Sequence, residues 1–376
     1  MKIVAFGDVH IGVSDTDNLE VMKAIEYICK DAPACDLIVI TGDVYNKLSD
    51  PAMRNKAVQV VDMLTDIAPV AIVKGNHDRF QDLVILERIK CGRQVTVYER
   101  PAALEYGDAT LLFVPWISKA EWTAVRGIDD GVEATDDSVS GMFMTWLRTE
   151  VMRYRDRGAR KIYLFSHLTV TGCRVSETQE IMGGGIMVGT DNLKDAGIDG
   201  GVFGHIHMPQ VLGDGSFVYT GSLTNLNFGE TDKTKAYAYI DTVTGTVELK
   251  DVPVIPRVSV SINWIDGAWD SAPIDELTDT GIRLRVRIKM SDADDRQVID
   301  SHIRNYLEAR GFMDVHTEFL RVPKEQDTRH DEVTECKTVG EKLVAYWGVI
   351  DRKFPTPEAM ERTLQLAEEL TTEIAS

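Results

Sequence analysis

The chain has 376 residues, with 41 Lys and Arg against 60 Asp and Glu, for a net charge of −19. That length suits two or three domains rather than one, and 44% hydrophobic with 27% charged residues excludes a disordered chain. The acidity speaks against unaided binding to nucleic acid or an anionic membrane, which a basic footprint normally signals.

In chain order, Ile3–Phe6, Leu37–Ile40 and Val70–Val73 are short, continuous apolar runs, the pattern of strands buried on both faces. Between them, Asn18–Lys30 and Pro51–Ile67 have helical spacing, with Met53, Ala57, Val60 or Val61, and Leu64 on one face. This alternation predicts a βαβ architecture, whose ligands gather at the carboxyl ends of the strands. Thr110–Val114 reads as a strand, Gly127–Asp137 as an acidic loop, Gly141–Arg157 as a helix and Lys161–Phe165 as a strand. Val175–Gly189 reads as a mobile loop. Val202–Phe203 and Phe217–Thr220 follow as strands, and Ala236–Asp241 with Thr246–Leu249 as a hairpin turning at Gly245.

Pro253 and Pro256 bracket an expected linker. Beyond it, strand Ile282–Met290, helix Asp294–Arg310 and strand Val315–Val322 make a small β-α-β domain. Polar residues 324–338 form a flexible link to a helix at Pro357–Ile374. The expected domains are therefore 1–255, 256–323 and 324–376. Residues 1–255 carry 25 basic and 36 acidic side chains, and the remainder is acidic too, so no cationic tail is offered to DNA. Five cysteines (Cys29, Cys35, Cys91, Cys173 and Cys336) form no CxxC pair. They read as reduced thiols of a cytoplasmic protein. Neither a signal-peptide core nor an apolar run of about 18 residues is present.

Chemistry concentrates in five short segments of the first domain: Asp8-Val9-His10, Gly42-Asp43, Gly75-Asn76-His77-Asp78, His167 and Gly204-His205-Ile206-His207. Five of the eight histidines fall here. Each segment follows a β-like run, so each is expected at a strand's carboxyl end. Taken singly, a DxH, a GD or an HxH is turn chemistry or surface decoration. Together they offer imidazole and oxygen ligands suited to borderline divalent metals such as manganese, iron or zinc.

In this order the segments resemble the signature of the calcineurin-like metallophosphoesterases: DxH, GD, GNH followed by Asp or Glu, H, and GHxH. The resemblance covers roughly residues 1–250 and implies a β-sandwich flanked by helices. It also implies that Asp8, His10 and His207 hold one metal, that Asn76, His167 and His205 hold a second, and that Asp43 bridges both. Two dications about 3.5–4 Å apart clamp the attacking and leaving oxygens of an in-line phosphoryl displacement and activate a water. By the same resemblance, His77 is the general acid or phosphate stabiliser. Asp78 either orients His77 or caps a turn.

GNHD rather than GNHE, with no arginine directly after Gly42-Asp43, points away from Ser/Thr protein phosphatases. The C-terminal addition makes the chain similar to the SbcD group of DNA-repair nucleases, including phage-encoded relatives. Val114-Pro115-Trp116, Phe203–Gln210, Tyr219-Thr220-Gly221-Ser222, Phe228-Gly229-Glu230 and Lys235 suit that group. Membership would imply a manganese-dependent double-strand exonuclease and single-strand endonuclease. It would act in repair and recombination, with DNA as substrate, a capping domain, a homodimer and an SbcC-type coiled-coil ABC ATPase partner. Many members carry His or Asp three residues beyond the bridging aspartate, where this chain has Asn46.

Four further segments leave two readings each. Arg283, Arg285, Arg287 and Lys289 alternate with apolar residues on one strand, either as a phosphate-tracking strip or as a charge-protected sheet face. Pro51–Ile67 and Phe80–Lys90, the latter also read as a helix, have apolar helical faces that either pair two copies or pack on their own sheet. Pro357–Ile374 either docks on the ATPase or closes the small domain. The rival functions are a small-molecule phosphodiesterase of the same superfamily and a non-catalytic scaffold for the ATPase.

Overall fold

The apolar runs become strands covered on both faces, and this sets the architecture of the first domain. In the computed structural model every residue is described except 13, 91, 120, 123–135, 177, 180–184, 231–233, 292–293, 322–335, 337, 350–355 and 375–376. Most of the expected acidic loop, part of the glycine-rich loop, nearly all of the polar link and Cys91 thus lie outside the described residues.

The first half runs β1 (Lys2–Phe6), α1 (Asp15–Asp31), β2 (Leu37–Ile40), α2 (Pro51–Thr65), β3 (Val70–Val73), a 3-10 helix (Leu83–Arg88) and β4 (Val95–Tyr98). It continues through β5 (Ala102–Tyr106), β6 (Ala109–Val114), a helix at Asp136–Asp156, β7 (Lys161–His167) and the short pair β8 (Thr169–Val170) and β9 (Met187–Val188). Then come β10 (Gly200–Gly204), β11 (Gln210–Leu212), β12 (Phe217–Tyr219), β13 (Thr234–Asp241) and β14 (Thr246–Pro253). One six-stranded sheet has the order β14-β13-β1-β2-β3-β4, the other β11-β12-β10-β7-β6-β5. Strands β1 to β4 are mutually parallel, as are β6, β7, β10 and β12.

The period-two alternation of a strand explains how one run serves two cores. Ile3 and Ala5 of β1 join Leu37, Val39, Ala71 and Val73 in a cluster with Leu111, Phe113, Phe165 and Val202 of the other sheet. Val4 and Phe6 face the opposite way, into a cluster with Val21 and Ile25 of α1 and Met53, Ala57 and Leu64 of α2. A third cluster sets the helix at Asp136–Asp156, through Val139, Phe143 and Leu147, against Leu112, Leu164 and Phe203. The fold is thus an α/β sandwich of two sheets flanked by helices.

Local chemistry starts the helices. The Ser14 side chain accepts from the Asp17 amide at the head of α1, and Asp50 accepts from the Met53 amide at 2.9 Å with Pro51 in the first turn of α2. The expected helix at Phe80–Lys90 is instead the 3-10 helix, whose buried Leu83 and Leu86 are three residues apart, the spacing that falls in line on a three-residue turn. The expected hairpin forms, with Asp241 opposite Thr246 and Gly245 at φ 80°.

Four later strands, β15 (Arg257–Ile265), β16 (Ala268–Trp269), β17 (Arg283–Met290) and β18 (Asp314–Arg321), make a four-stranded sheet, and a helix spans Arg296–Ala309. β15 occupies the stretch directly after the expected proline linker. Helices follow at Val339–Val349 and Pro357–Ile374. By compactness the chain divides into Met1–Val260 with Ile274–Val286 and Ile303–Thr317, and Ser261–Pro273 with Arg287–His302 and Glu318–Ser376. No described helix is long and apolar enough to cross a membrane.

Candidate metal centre

Parallel strands turn their carboxyl ends the same way, so the loops after β1, β2, β3 and β10 and the end of β7 converge. Backbone hydrogen bonds knit them together: Asp8 N–H donates to Gly42 O at 2.9 Å and His10 N–H to Asp43 O at 3.0 Å. His205 N–H donates to the Asp8 carboxylate at 3.0 Å, tying the two sheets. Asp8, His10, Asp43 and His205 all have positive φ, between 49° and 94°. That left-handed backbone is uncommon outside glycine and marks strain held in place by the surroundings. Gly42, at φ 100°, and Gly75 lie where a Cβ would collide with His167 and Asp43 respectively. Only glycine lets these loops approach so closely.

All seven ligand-type side chains meet here. His10 Nε2 lies 3.1 Å from His207 Nε2 and 3.9 Å from Asp8 Oδ1. On the other side, Asn76 Oδ1 is 2.8 Å from His167 Nε2 and 3.0 Å from His205 Nδ1. Asp43 Oδ2 stands between the halves, 3.8 Å from His10 Nε2 and 3.4 Å from His167 Nε2. Two sets, Asp8-His10-His207 and Asp8-Asp43-His167, have potential ligand atoms all within 4.8 Å of one another.

The electrostatics suit cations. Burial holds the His10 and His205 imidazoles down to about 3, so both rings are neutral, the form that ligates a metal. Burial also pulls on His167, but the Asp43 carboxylate outweighs it and pushes that imidazole up to about 9. Burial works against the Asp43 charge too, yet His167, His10 and His77 keep its carboxyl well below the usual range. His10 Nδ1 and His205 Nε2 are buried with no hydrogen-bond partner among the described residues, so hydrogen bonding alone does not balance these rings. With its other nitrogen facing the cluster, each can direct a lone pair inward. Buried carboxylates beside the neutral rings of His10 and His205, with a His167 proton that a metal would displace on binding, fit divalent cations. These would be held by Asp8, His10 and His207 on one side, by Asn76, His167 and His205 on the other, and by Asp43 between them.

His77 sits at the rim. Its amide donates to Asp43 Oδ1 at 2.9 Å, its Nδ1 lies 2.7 Å from the Asn46 carbonyl, and its Nε2 lies 3.9 Å from Asp43 Oδ2. The Asp78 carboxylate instead accepts from the amides of Gly75 at 2.9 Å, Tyr45 at 3.1 Å and Val44 at 3.3 Å. It clamps two strand-end loops. Burial, reinforced by the charge of Asp43, raises the Asp78 carboxyl to about 6. Position 46 thus acts on His77 through its backbone oxygen.

On the strand of alternating cations, Arg283 and Arg287 are engaged in ion pairs. Arg283 is buried and pairs with Asp17, with Glu20 at 3.0 Å and with Asp314 at 2.6 Å. Arg285 donates to Ser259 Oγ at 3.0 Å and lies over the Phe228 ring, and Arg287 pairs with Glu318 at 3.1 Å. Lys289 is exposed.

Two residues given no individual role from sequence complete the site. Glu230 is buried, 3.2 Å from His207 Nδ1 and 3.0 Å from Lys235 Nζ. His207 and Lys235 both favour its charge over the penalty of burial and hold its carboxyl at about 2. A carboxylate behind a ligating imidazole fixes its tautomer and raises its basicity. Gln179 donates to His205 O at 2.6 Å and accepts from His207 N–H at 3.0 Å, clasping the backbone of the GHIH segment. A glutamate in a polar stretch and a glutamine in a loop carry no local signature of such roles.

Among known proteins, the chain is 24% identical over 290 residues, 72% of its own length and 73% of the other's, to a protein of Staphylococcus saprophyticus subsp. saprophyticus that is named as the SbcD component of the SbcCD nuclease. A crystal structure from Thermus thermophilus aligns with a TM-score of 0.38 and 15% identity over 66% of this chain and 98% of that one. A purple acid phosphatase from yellow lupin seeds aligns with a TM-score of 0.33 and 13% identity, over 68% of this chain and 53% of that one. Residues 1–209, which hold every candidate ligand, match the calcineurin-like phosphoesterase family, and over more than half its length the chain therefore belongs to that family.

Proposed function

We propose that the chain is a manganese-dependent DNA nuclease, a double-strand exonuclease and single-strand endonuclease that works in repair and recombination with an SbcC-type coiled-coil ABC ATPase. The observation carrying this reading is the convergence of six ligand-type side chains around Asp43, with His77 at the rim. The likeness to the staphylococcal nuclease component supports the choice of substrate. In this reading residues 1–255 are the nuclease domain, 256–323 the capping domain and 324–376 the partner-binding segment, and the chain pairs with a second copy.

When bound, two divalent cations supply Lewis-acid polarisation of the phosphoryl group and an activated water. The chain's own groups do the rest. Asn46 O accepts from His77 Nδ1–H and so turns Nε2 toward the cluster, where the doubly protonated form of the ring would hand its Nε2 proton to the leaving oxygen and return to the neutral imidazole. Asp78 keeps the loop that carries His77 in register with the loop that carries Asp43.

The test is a nuclease assay on linear duplex DNA with manganese, with and without the ATPase. His77→Ala should retain manganese by calorimetry and lose about 10²- to 10⁴-fold in rate, the range of general acid catalysis. Unchanged turnover at full metal occupancy removes His77 from the chemistry. Hydrolysis of bis-p-nitrophenyl phosphate with intact DNA under all conditions assigns the chain to small phosphodiesters instead.

A further inference from the structure

A cleft of about 760 Å³ opens beside the metal centre, lined among others by Phe80, Trp116, Trp122, Trp146 and Tyr154. Its link to the centre is direct. The Trp116 ring lies 4.8 Å from the His205 ring, tilted by 39°, and 6.0 Å from the His167 ring, while Phe80 follows His77 by three residues and is half exposed. Further along the lining, Trp122 and Trp146 meet edge to face, 5.5 Å apart. The cleft therefore runs from the hydrolytic centre onto aromatic side chains, of which Phe80, Trp116 and Trp146 keep exposed ring surface while Trp122 and Tyr154 are buried. Its volume is that of a small-molecule site.

The charges in the lining decide what kind of molecule fits. Glu99, Glu121 and Glu150 outnumber Arg100 and Arg153, and Arg153 is itself paired with Glu150 at 3.1 Å. A phosphate or polyanion gains nothing there. A neutral, planar, heteroaromatic group does: its faces stack on indole and phenyl rings, and its edge meets carboxylates and guanidinium groups. Aromatic platforms of this kind bind nucleobases with little regard to sequence.

We propose that this cleft is a nucleobase subsite, taking the unstacked base of the nucleotide whose phosphate lies at the metal centre. The inference rests on the nuclease reading and adds to it a strand end opened by stacking. The base leaves the duplex for the rings of Trp116 and Trp146, and its phosphate is thereby set beside Asp43 and His77.

The experiment is a calorimetric titration of the full chain in manganese with deoxyadenosine monophosphate and, separately, with inorganic phosphate. The nucleotide should bind at least about tenfold more tightly than phosphate, the scale of one base stack. Trp146→Ala should abolish that difference while manganese and inorganic phosphate bind with the parent affinity. Phe80→Ala, at a half-exposed position, should reduce the difference and serves if Trp146→Ala fails to fold. Equal affinity for nucleotide and phosphate in the parent chain overturns the proposal, as it would if the cleft seated a protein segment. So does a nucleotide preference that survives both substitutions. Binding that prefers the nucleotide in a chain that leaves DNA intact keeps the subsite and removes the nuclease reading. DNA degradation without nucleotide preference does the reverse.

Discussion

The strand-end loops and strand β17 both set charged side chains next to apolar runs, and they end differently. In the loops, Asp8 and Asp43 are buried among imidazoles rather than arginine or lysine side chains, and burial keeps two of those rings, His10 and His205, neutral. In β17, Arg283 is surrounded by Asp17, Glu20 and Asp314, and Arg287 is paired with Glu318. One region is built to receive a cation from outside, and the other has largely spent its cations on the protein's own carboxylates. A run of charge in sequence acquires meaning only when its partners are known.

Substitutions can break that contrast, and the largest effect is expected at its centre. Asp43→Asn removes the carboxylate that faces both halves of the cluster. Phosphodiester hydrolysis should fall about a thousandfold or more, a loss of several kcal/mol. Manganese binding by calorimetry should weaken with it, and retained activity would end the two-sided role of Asp43. Arg283→Ala tests the opposite region. Among the described residues it leaves the buried Glu20 with Arg257 alone, at 3.8 Å, and stability in urea should drop by about 3 kcal/mol. A change under about 1 kcal/mol would mean that these ion pairs are not structural.

Glu230→Gln sharpens the comparison from behind the metal centre. Affinity for manganese should weaken about 10- to 100-fold, the usual cost of losing a carboxylate behind a ligating histidine, with the fold intact by circular dichroism. Unaltered affinity would make Glu230 a partner of Lys235 only. The smallest effect belongs to the rest of β17. If Arg285 and Arg287 touch phosphates, the double substitution Arg285→Glu with Arg287→Glu should reduce the salt dependence of DNA binding by a slope of about 0.9 per phosphate released. An unchanged slope leaves that face merely solvated.

The buried strands and the clustering of the strand-end motifs were legible because their signals are local, whereas the two-sheet sandwich and the sharing of ligands between two metals came only with the family resemblance. Apolar runs mark strands buried on both faces, and His, Asp and Asn at strand ends are uncommon company. What escaped depends on distant neighbours. Glu230 matters because the fold sets it beside His207, and Gln179 because it reaches the backbone on either side of Ile206. The partner of His77 is the carbonyl of residue 46, which no side-chain pattern reveals. Strand β15 was readable from Val258, Val260, Ile262 and Trp264 at every second position, but the prolines just before it drew attention to a linker. At Leu83–Arg88 a three-residue spacing replaced the expected helical turn because only Leu83 and Leu86 are buried.

The left-handed backbone at Asp8, His10, Asp43 and His205 filters the residues that can evolve there twice over. Metal chemistry admits glutamate wherever it admits aspartate, and the two carry the same charge. Backbone conformation does not, since aspartate, asparagine and histidine tolerate positive φ far better than longer side chains do. The alphabet available to this centre is therefore shorter than its chemistry requires. Mutational drift between acids, common on ordinary protein surfaces, is closed off at these positions, and a homologue with glutamate at position 8 or 43 would have had to rebuild the loop around it.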